Sequence, residues 1–144
     1  MVRQYGGPEV MVLEPVAVEP VGPEEILIRQ SVASVNFHDI YVRSGAYRTL
    51  ALPGIPGLEA VGTVEAVGAA VTMFEPGERV LYISRNYGAY ARLRVVDAAL
   101  AVSFPMGMDA ALAAAWFLKG LTAQALLKEI EPVSTEKFIL AKAT

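Results

Sequence analysis

From Pro53 to Val80 the chain reads PGIPGLEAVGTVEAVGAAVTMFEPGERV, and this segment limits its fold more than any other. Gly54, Gly57, Gly62, Gly68 and Gly77 punctuate β-branched runs that include Val61, Thr63, Val64, Val67 and Val71. β-branched side chains suit a pleated, half-buried surface. Glycine inside such runs marks bulges and corners where a strand bends or two backbones come close. The spacing predicts a small, tightly curled β-barrel.

The flanking sequence extends this reading. From Gln30 to about Val102, alternating apolar and polar residues with Gly and Pro breaks predict short strands. Glu25 to Asn36 reads as one long strand kinked near Ser31, and Tyr87 to Val96 as another, opened by Gly88. Arg92 and Arg94 are expected on one polar face of that second strand. Pro8, Pro15, Pro20 and Pro23 keep the N-terminal region extended and edge-like, because proline donates nothing to a ladder. After Pro105 the pattern turns helical. Asp109 can cap a helix from Ala110 to Leu118, with the Ala110–Ala115 face in the core. Gly120 is expected to interrupt it, and a second helix to run from Leu121 to Ile130, with Thr122 as its cap, until Pro132. Lys137 to Lys142 then reads as a short buried strand.

Composition excludes several functions. A net charge of −3 with scattered Lys and Arg gives no electrostatic case for nucleic acid. With no cysteine there is no disulfide, no thiolate nucleophile and no cysteine zinc site. The chain is 54% hydrophobic, yet it has no run of the ~18 uninterrupted apolar residues of a membrane span. Its start, Met1 to Gly7, lacks the apolar region of a signal peptide, so the expected location is cytoplasmic.

The polar, aromatic-rich segment Asn36-Phe37-His38-Asp39-Ile40-Tyr41-Val42-Arg43-Ser44-Gly45-Ala46-Tyr47 holds the only histidine. On the residues alone two readings are open: a functional loop, or a surface helix turn with Tyr41 and Tyr47 packed on the barrel. One histidine supports no metal site. Glu59 stands in an apolar run and needs a partner, an arginine or backbone amides, if it is buried.

Taken together, Gly57-Leu58-Glu59 before the hairpin, the Asn36–Tyr47 segment, Gly88-Ala89-Tyr90-Ala91 and Phe117-Leu118-Lys119-Gly120-Leu121-Thr122-Ala123 resemble the medium-chain dehydrogenase/reductases. The likeness is to their zinc-independent, quinone-reducing, ζ-crystallin-like branch. It implies a mainly β (α+β) fold: a GroES-like, partly open β-barrel over residues 1–108. Linker helices and the first strand of a truncated Rossmann domain would follow over residues 109–144. The first β-strand looks clipped against this family, and the segment that returns to complete the barrel is missing. A glycine-rich nucleotide turn would follow the strand at Phe138–Leu140 and is absent, so the chain is expected to be the front portion of a roughly double-length enzyme.

The resemblance also implies roles. Asn36 stands where zinc-dependent relatives carry a cysteine ligand, and Leu58 where they carry a histidine ligand, so no zinc and no other metal is expected. Asn36, Asp39 and Tyr41 match positions bordering the nicotinamide end of NADPH, and Thr122 one near its carboxamide. Tyr47 matches an aromatic at the substrate mouth. Asn36, Tyr41 and Tyr47 are thereby the catalytic candidates, Glu59 is structural, and His38 has no role. The implied reaction passes a hydride from NADPH to a small-molecule quinone, in an enzyme that is homodimeric when complete. A quinone is already electrophilic and gives a stabilised phenolate, so positioning and a few hydrogen-bond donors suffice without a Lewis acid. The rival readings are a zinc-free enoyl or enone reductase with the same barrel, and a freestanding GroES-like binding or assembly module. The isolated chain is expected to be inactive as an oxidoreductase.

Overall fold

The computed structural model describes residues 1–130. The strand expected at Lys137–Lys142 and the stop at Pro132 lie outside them. Five strands, β1 (Glu25–Ala33), β2 (Glu59–Val67), β3 (Arg79–Ile83), β4 (Leu93–Asp97) and β5 (Ala101–Ser103), form one antiparallel sheet. Their order is β4-β1-β2-β3-β5. The sheet curls without closing, as the expected partly open barrel. Two helices accompany it, α1 (Phe37–Ser44) between β1 and β2, and α2 (Ala110–Gln124) after β5.

Side chains alternate between the two faces of the sheet, and each face builds its own core. Ile26, Ile28, Ala60, Val64, Val80, Tyr82 and Val96 fill the concave side. Val61 and Leu81, their neighbours in sequence, point the other way and pack with Phe104, Ala113 and Ala114. α2 is therefore laid on the opposite face of the sheet, over β2 and its neighbours β1 and β3.

The glycine pattern falls where the chain needs it. Gly68 follows β2, and a Cβ there would meet the carbonyl oxygens of Gly22 and Pro23. The kink expected at Ser31 is a register shift between Gln30 and Val32 against β2. β1 ends at Ala33 rather than Asn36, because Asn36 opens α1.

Four expectations are corrected. The strand foreseen over Tyr87–Val96 is confined to Leu93–Asp97. Residues 87–92 form a loop whose backbone turns inward, with Gly88 and Ala89 amides donating to the Gly57 carbonyl at 3.0 Å each. Arg94 does not share a solvent face with Arg92. It is half-buried, donates to the Tyr82 hydroxyl at 3.1 Å and holds the Asn86 and Tyr87 carbonyls.

Gly120 does not break the helix: α2 runs through it to Gln124 and continues as a π turn, Ala125–Ile130. A glycine costs a helix about 1 kcal/mol against alanine but keeps its amide donor, unlike proline. Finally, only Ala113 and Ala114 of the Ala110–Ala115 stretch are buried. Because the helix runs through Gly120, the stretch Ala110–Glu129 spans 20 residues and is long and apolar enough, by length and composition, to cross a bilayer. In this fold its first half packs on the sheet through Ala113, Ala114 and Phe117.

Candidate active site

Asn36 precedes α1, and its backbone amide donates to the Asp39 carboxylate at 2.9 Å, which closes the first turn of the helix. Gly45 ends the helix in the left-handed conformation, φ 85°. The Asn36 side chain thereby stands at a fixed point beside the start of β2. There Glu59, 1% exposed, accepts from Asn36 Nδ2 at 3.1 Å and from the Leu118 backbone amide at 3.2 Å. The buried carboxylate has the partners it needs, one of them a backbone amide. Lys119, the next residue of α2, donates from Nζ to Asn36 Oδ1 at 3.1 Å.

These contacts fix the amide. An ammonium only donates and an ionised carboxylate only accepts, so Asn36 has one orientation that serves both. One amide hydrogen has no partner among the described residues. α2 is held at the same point. The Ala114 carbonyl and the Leu118 amide are one i→i−4 pair of the helix. Ser34, buried just after β1, donates to the former, and Glu59 accepts from the latter.

Asp39 is 3% exposed, beneath this surface, and Tyr90 donates to it at 3.2 Å. Burial pushes the Asp39 carboxyl above its ordinary range, against the opposing pull of the Asn36 amide and the Tyr90 hydroxyl. Burial, then the neighbouring Asp39 charge, drives the Tyr90 phenol up as well. Asp39 thus serves α1 from below. It offers no accessible oxygen to a ligand: its Oδ1 is buried and without a partner among the described residues.

Tyr41 and Tyr47 do not pack on the barrel. They are 42% and 50% exposed and tilt against each other with ring centroids 5.2 Å apart. Phe37 stacks on Tyr41, and His38 lies 5.8 Å from Tyr47 and parallel to Tyr87 at 6.0 Å. His38 Nε2 is 2.9 Å from the Tyr87 hydroxyl, which also meets Thr49. The result is an open aromatic row beside Asn36. Thr122 is inside α2 rather than at a helix start, and its hydroxyl donates back to the Leu118 carbonyl at 2.8 Å. Cavities of about 850, 670 and 530 Å³ lie elsewhere, and none is lined by Asn36, Tyr41, Tyr47 or Thr122. The site is an open shelf.

Sequence reasoning missed Lys119, Tyr90 and the His38–Tyr87 pair. Lys119 had a signal, a lone cation in an apolar helix one turn before Thr122.

Residues 22–106 match the alcohol dehydrogenase GroES-like domain family. The chain is 44% identical to a quinone oxidoreductase of Pseudomonas aeruginosa over 87% of its own length and 38% of the relative's. It is 35% identical to a 2-haloacrylate reductase of Burkholderia sp, over 99% of this chain and 44% of that protein. The crystal structure of Escherichia coli quinone oxidoreductase complexed with NADPH superimposes with a TM-score of 0.79 at 35% identity, covering 90% of this chain and 40% of that one. The chain spans about two-fifths of the length of the curated relatives it matches.

Proposed function

Because this chain belongs to the alcohol dehydrogenase GroES-like domain family of the medium-chain dehydrogenase/reductases, we propose that it forms the acceptor-binding part of an NADPH-dependent quinone oxidoreductase. The observation that carries this reading is the Asn36 amide clamped between Glu59 and Lys119 beside an open aromatic row. Support comes from the quinone oxidoreductases among its relatives, one of them bound to NADPH.

The donor set suits the nicotinamide end of such a cofactor. Asn36 keeps a free amide hydrogen, and the exposed Thr122 hydroxyl can turn from its helix carbonyl to a carboxamide. When bound, the cofactor supplies the hydride. The chain's own residues position the acceptor. Tyr41 and Tyr47 offer ring faces for a flat quinone and hydroxyls for its oxygens. Asp39 acts through the shape of α1 and not by touching the cofactor.

The reaction is proposed to run without zinc. Leu58 has no metal-binding atom, and the Asn36 amide is already shared by a carboxylate and an ammonium. The isolated chain, which spans 38% and 43% of two quinone oxidoreductase relatives, is proposed to be inactive as an oxidoreductase.

A second reading has a specific basis. The similarity to 2-haloacrylate reductase favours an activated alkene as acceptor. Both readings are tested on the protein that carries this chain by following NADPH oxidation with 1,4-benzoquinone and with a 2-haloacrylate. Turnover of the quinone alone supports the first, turnover of the haloacrylate alone the second. No oxidation with either removes both.

A further inference from the structure

We propose that the Lys119 ammonium holds the oxyanion that forms on the acceptor, with Asn36 as the residue that positions it. This rests on the reductase reading above. Three observations converge on Lys119. Its Nζ is fixed by Asn36 Oδ1 at 3.1 Å, and the amide's other end is fixed by the buried Glu59. Its other two N–H groups have no partner among the described residues, and the side chain is exposed at the shelf beside Asn36. It also lies three residues before Thr122 on α2, and residues three apart share one helix face, with Cβ atoms about 5–6 Å apart. The cation therefore stands next to the hydroxyl assigned to the nicotinamide.

Hydride transfer brings two electrons and a hydrogen to the quinone, oxidises the dihydronicotinamide, and leaves a hydroquinone monoanion. The one proton that completes the hydroquinone comes from water, and none is taken from Lys119. Its part is to meet the negative charge. A charged donor makes a hydrogen bond about twice as strong as a neutral one, and a donor fixed before the reaction needs no reorganisation during it. Tyr41 and Tyr47 supply ring surface, whereas Lys119 supplies charge. The ammonium thus provides part of the electrostatic work that a metal provides in other carbonyl reductases.

The test compares Lys119→Gln and Lys119→Arg with the unmodified protein that carries this chain. Lys119→Gln is expected to lower kcat with 1,4-benzoquinone by roughly tenfold or more, leaving KM for NADPH nearly unchanged. Lys119→Arg should retain most of the rate. Binding of 4-nitrophenol gives a readout without turnover. The unmodified protein should bind the coloured phenolate and lower its apparent titration midpoint, and Lys119→Gln should abolish that shift. Unchanged kcat and phenolate binding in Lys119→Gln would overturn the proposal. So would equal losses in both variants accompanied by a fall in Tm, which would make Lys119 a structural prop. If the unmodified protein oxidises NADPH with neither acceptor, the reductase reading fails, and the phenolate titration still decides the role of Lys119.

Discussion

Asn36 Nδ2 donates to Glu59 Oε2 at 3.1 Å, so the N-terminus of α1 is tied to the first residue of β2. The same carboxylate takes the Leu118 amide on its other oxygen. Glu59→Gln keeps the shape but turns one acceptor into a donor against a donor. We expect a loss of about 1–3 kcal/mol in urea unfolding, the cost of an unsatisfied buried group. Glu65→Gln removes the partner of Arg29 at a partly exposed site and should cost ~0–1 kcal/mol. Equal losses would mean that Glu59 carries no special burden.

Asp39 gives a pH signature. Its folded-state pKa lies above the ordinary value of 3.8, so the folded protein binds more protons than the unfolded chain over the interval between them. The stability from this group is fully present below the lower value and is lost as pH rises through the upper one. Asp39→Asn keeps an acceptor for the Asn36 amide without the charge. Relative to the unmodified protein, its Tm should rise with pH across that interval. A flat difference curve would show that burial does not perturb Asp39.

Gly57 has φ +92°, and a side chain there would run into the Tyr90 ring. Gly57→Ala should cost about 1–3 kcal/mol through backbone strain alone. It should also disturb the loop that the Gly57 carbonyl holds through Gly88 and Ala89. Circular dichroism melting of this variant beside Gly77→Ala separates the two effects. Gly77 also has a positive φ but open space around it, so it reports strain without collision.

Tyr47→Ala deletes one side of the tilted pair with Tyr41. An aromatic pair is worth about 0.5–1.5 kcal/mol beyond burial, so KM for a quinone should rise roughly 2- to 10-fold with kcat little changed. A fall in kcat with constant KM would give Tyr47 a part in the chemical step instead.

Thr122→Val removes the hydroxyl and keeps the shape. The helix loses only a back-bond to Leu118. KM for NADPH should rise by roughly 2- to 10-fold, the value of one hydrogen bond, and Tm should hold. An unchanged KM would remove Thr122 from the cofactor site.

Much of the sheet was legible because its signals are local. The glycines and valines of residues 53–80 mark β2, β3 and the bends between them, and Ser31 marks the register shift in β1. The errors arose where a local signal met a long-range contact. Gly120 looked like a break, but nothing near it opposes a helix that the sheet already holds at Ala113 and Ala114. Tyr87 to Arg92 alternate like a strand, yet the Gly57 carbonyl draws that backbone into a loop. In the candidate site, Asn36 and Tyr47 were expectations from the motif, and the structure sets Asn36 against Glu59 and Tyr47 against Tyr41. Lys119 had only its charge in an apolar helix as a signal; its partner is 83 residues away, and no periodicity reports such a pair.

The partners of Glu59 lie 23 residues before it and 59 after it. Closing the longer of these loops costs entropy before the contact with α2 repays it. The sheet can pair β1 with β2 before α2 arrives, whereas the shelf exists only once α2 has docked. The shelf thus depends on α2 staying docked, and hydrogen exchange at the Leu118 amide reports each departure of the helix from Glu59.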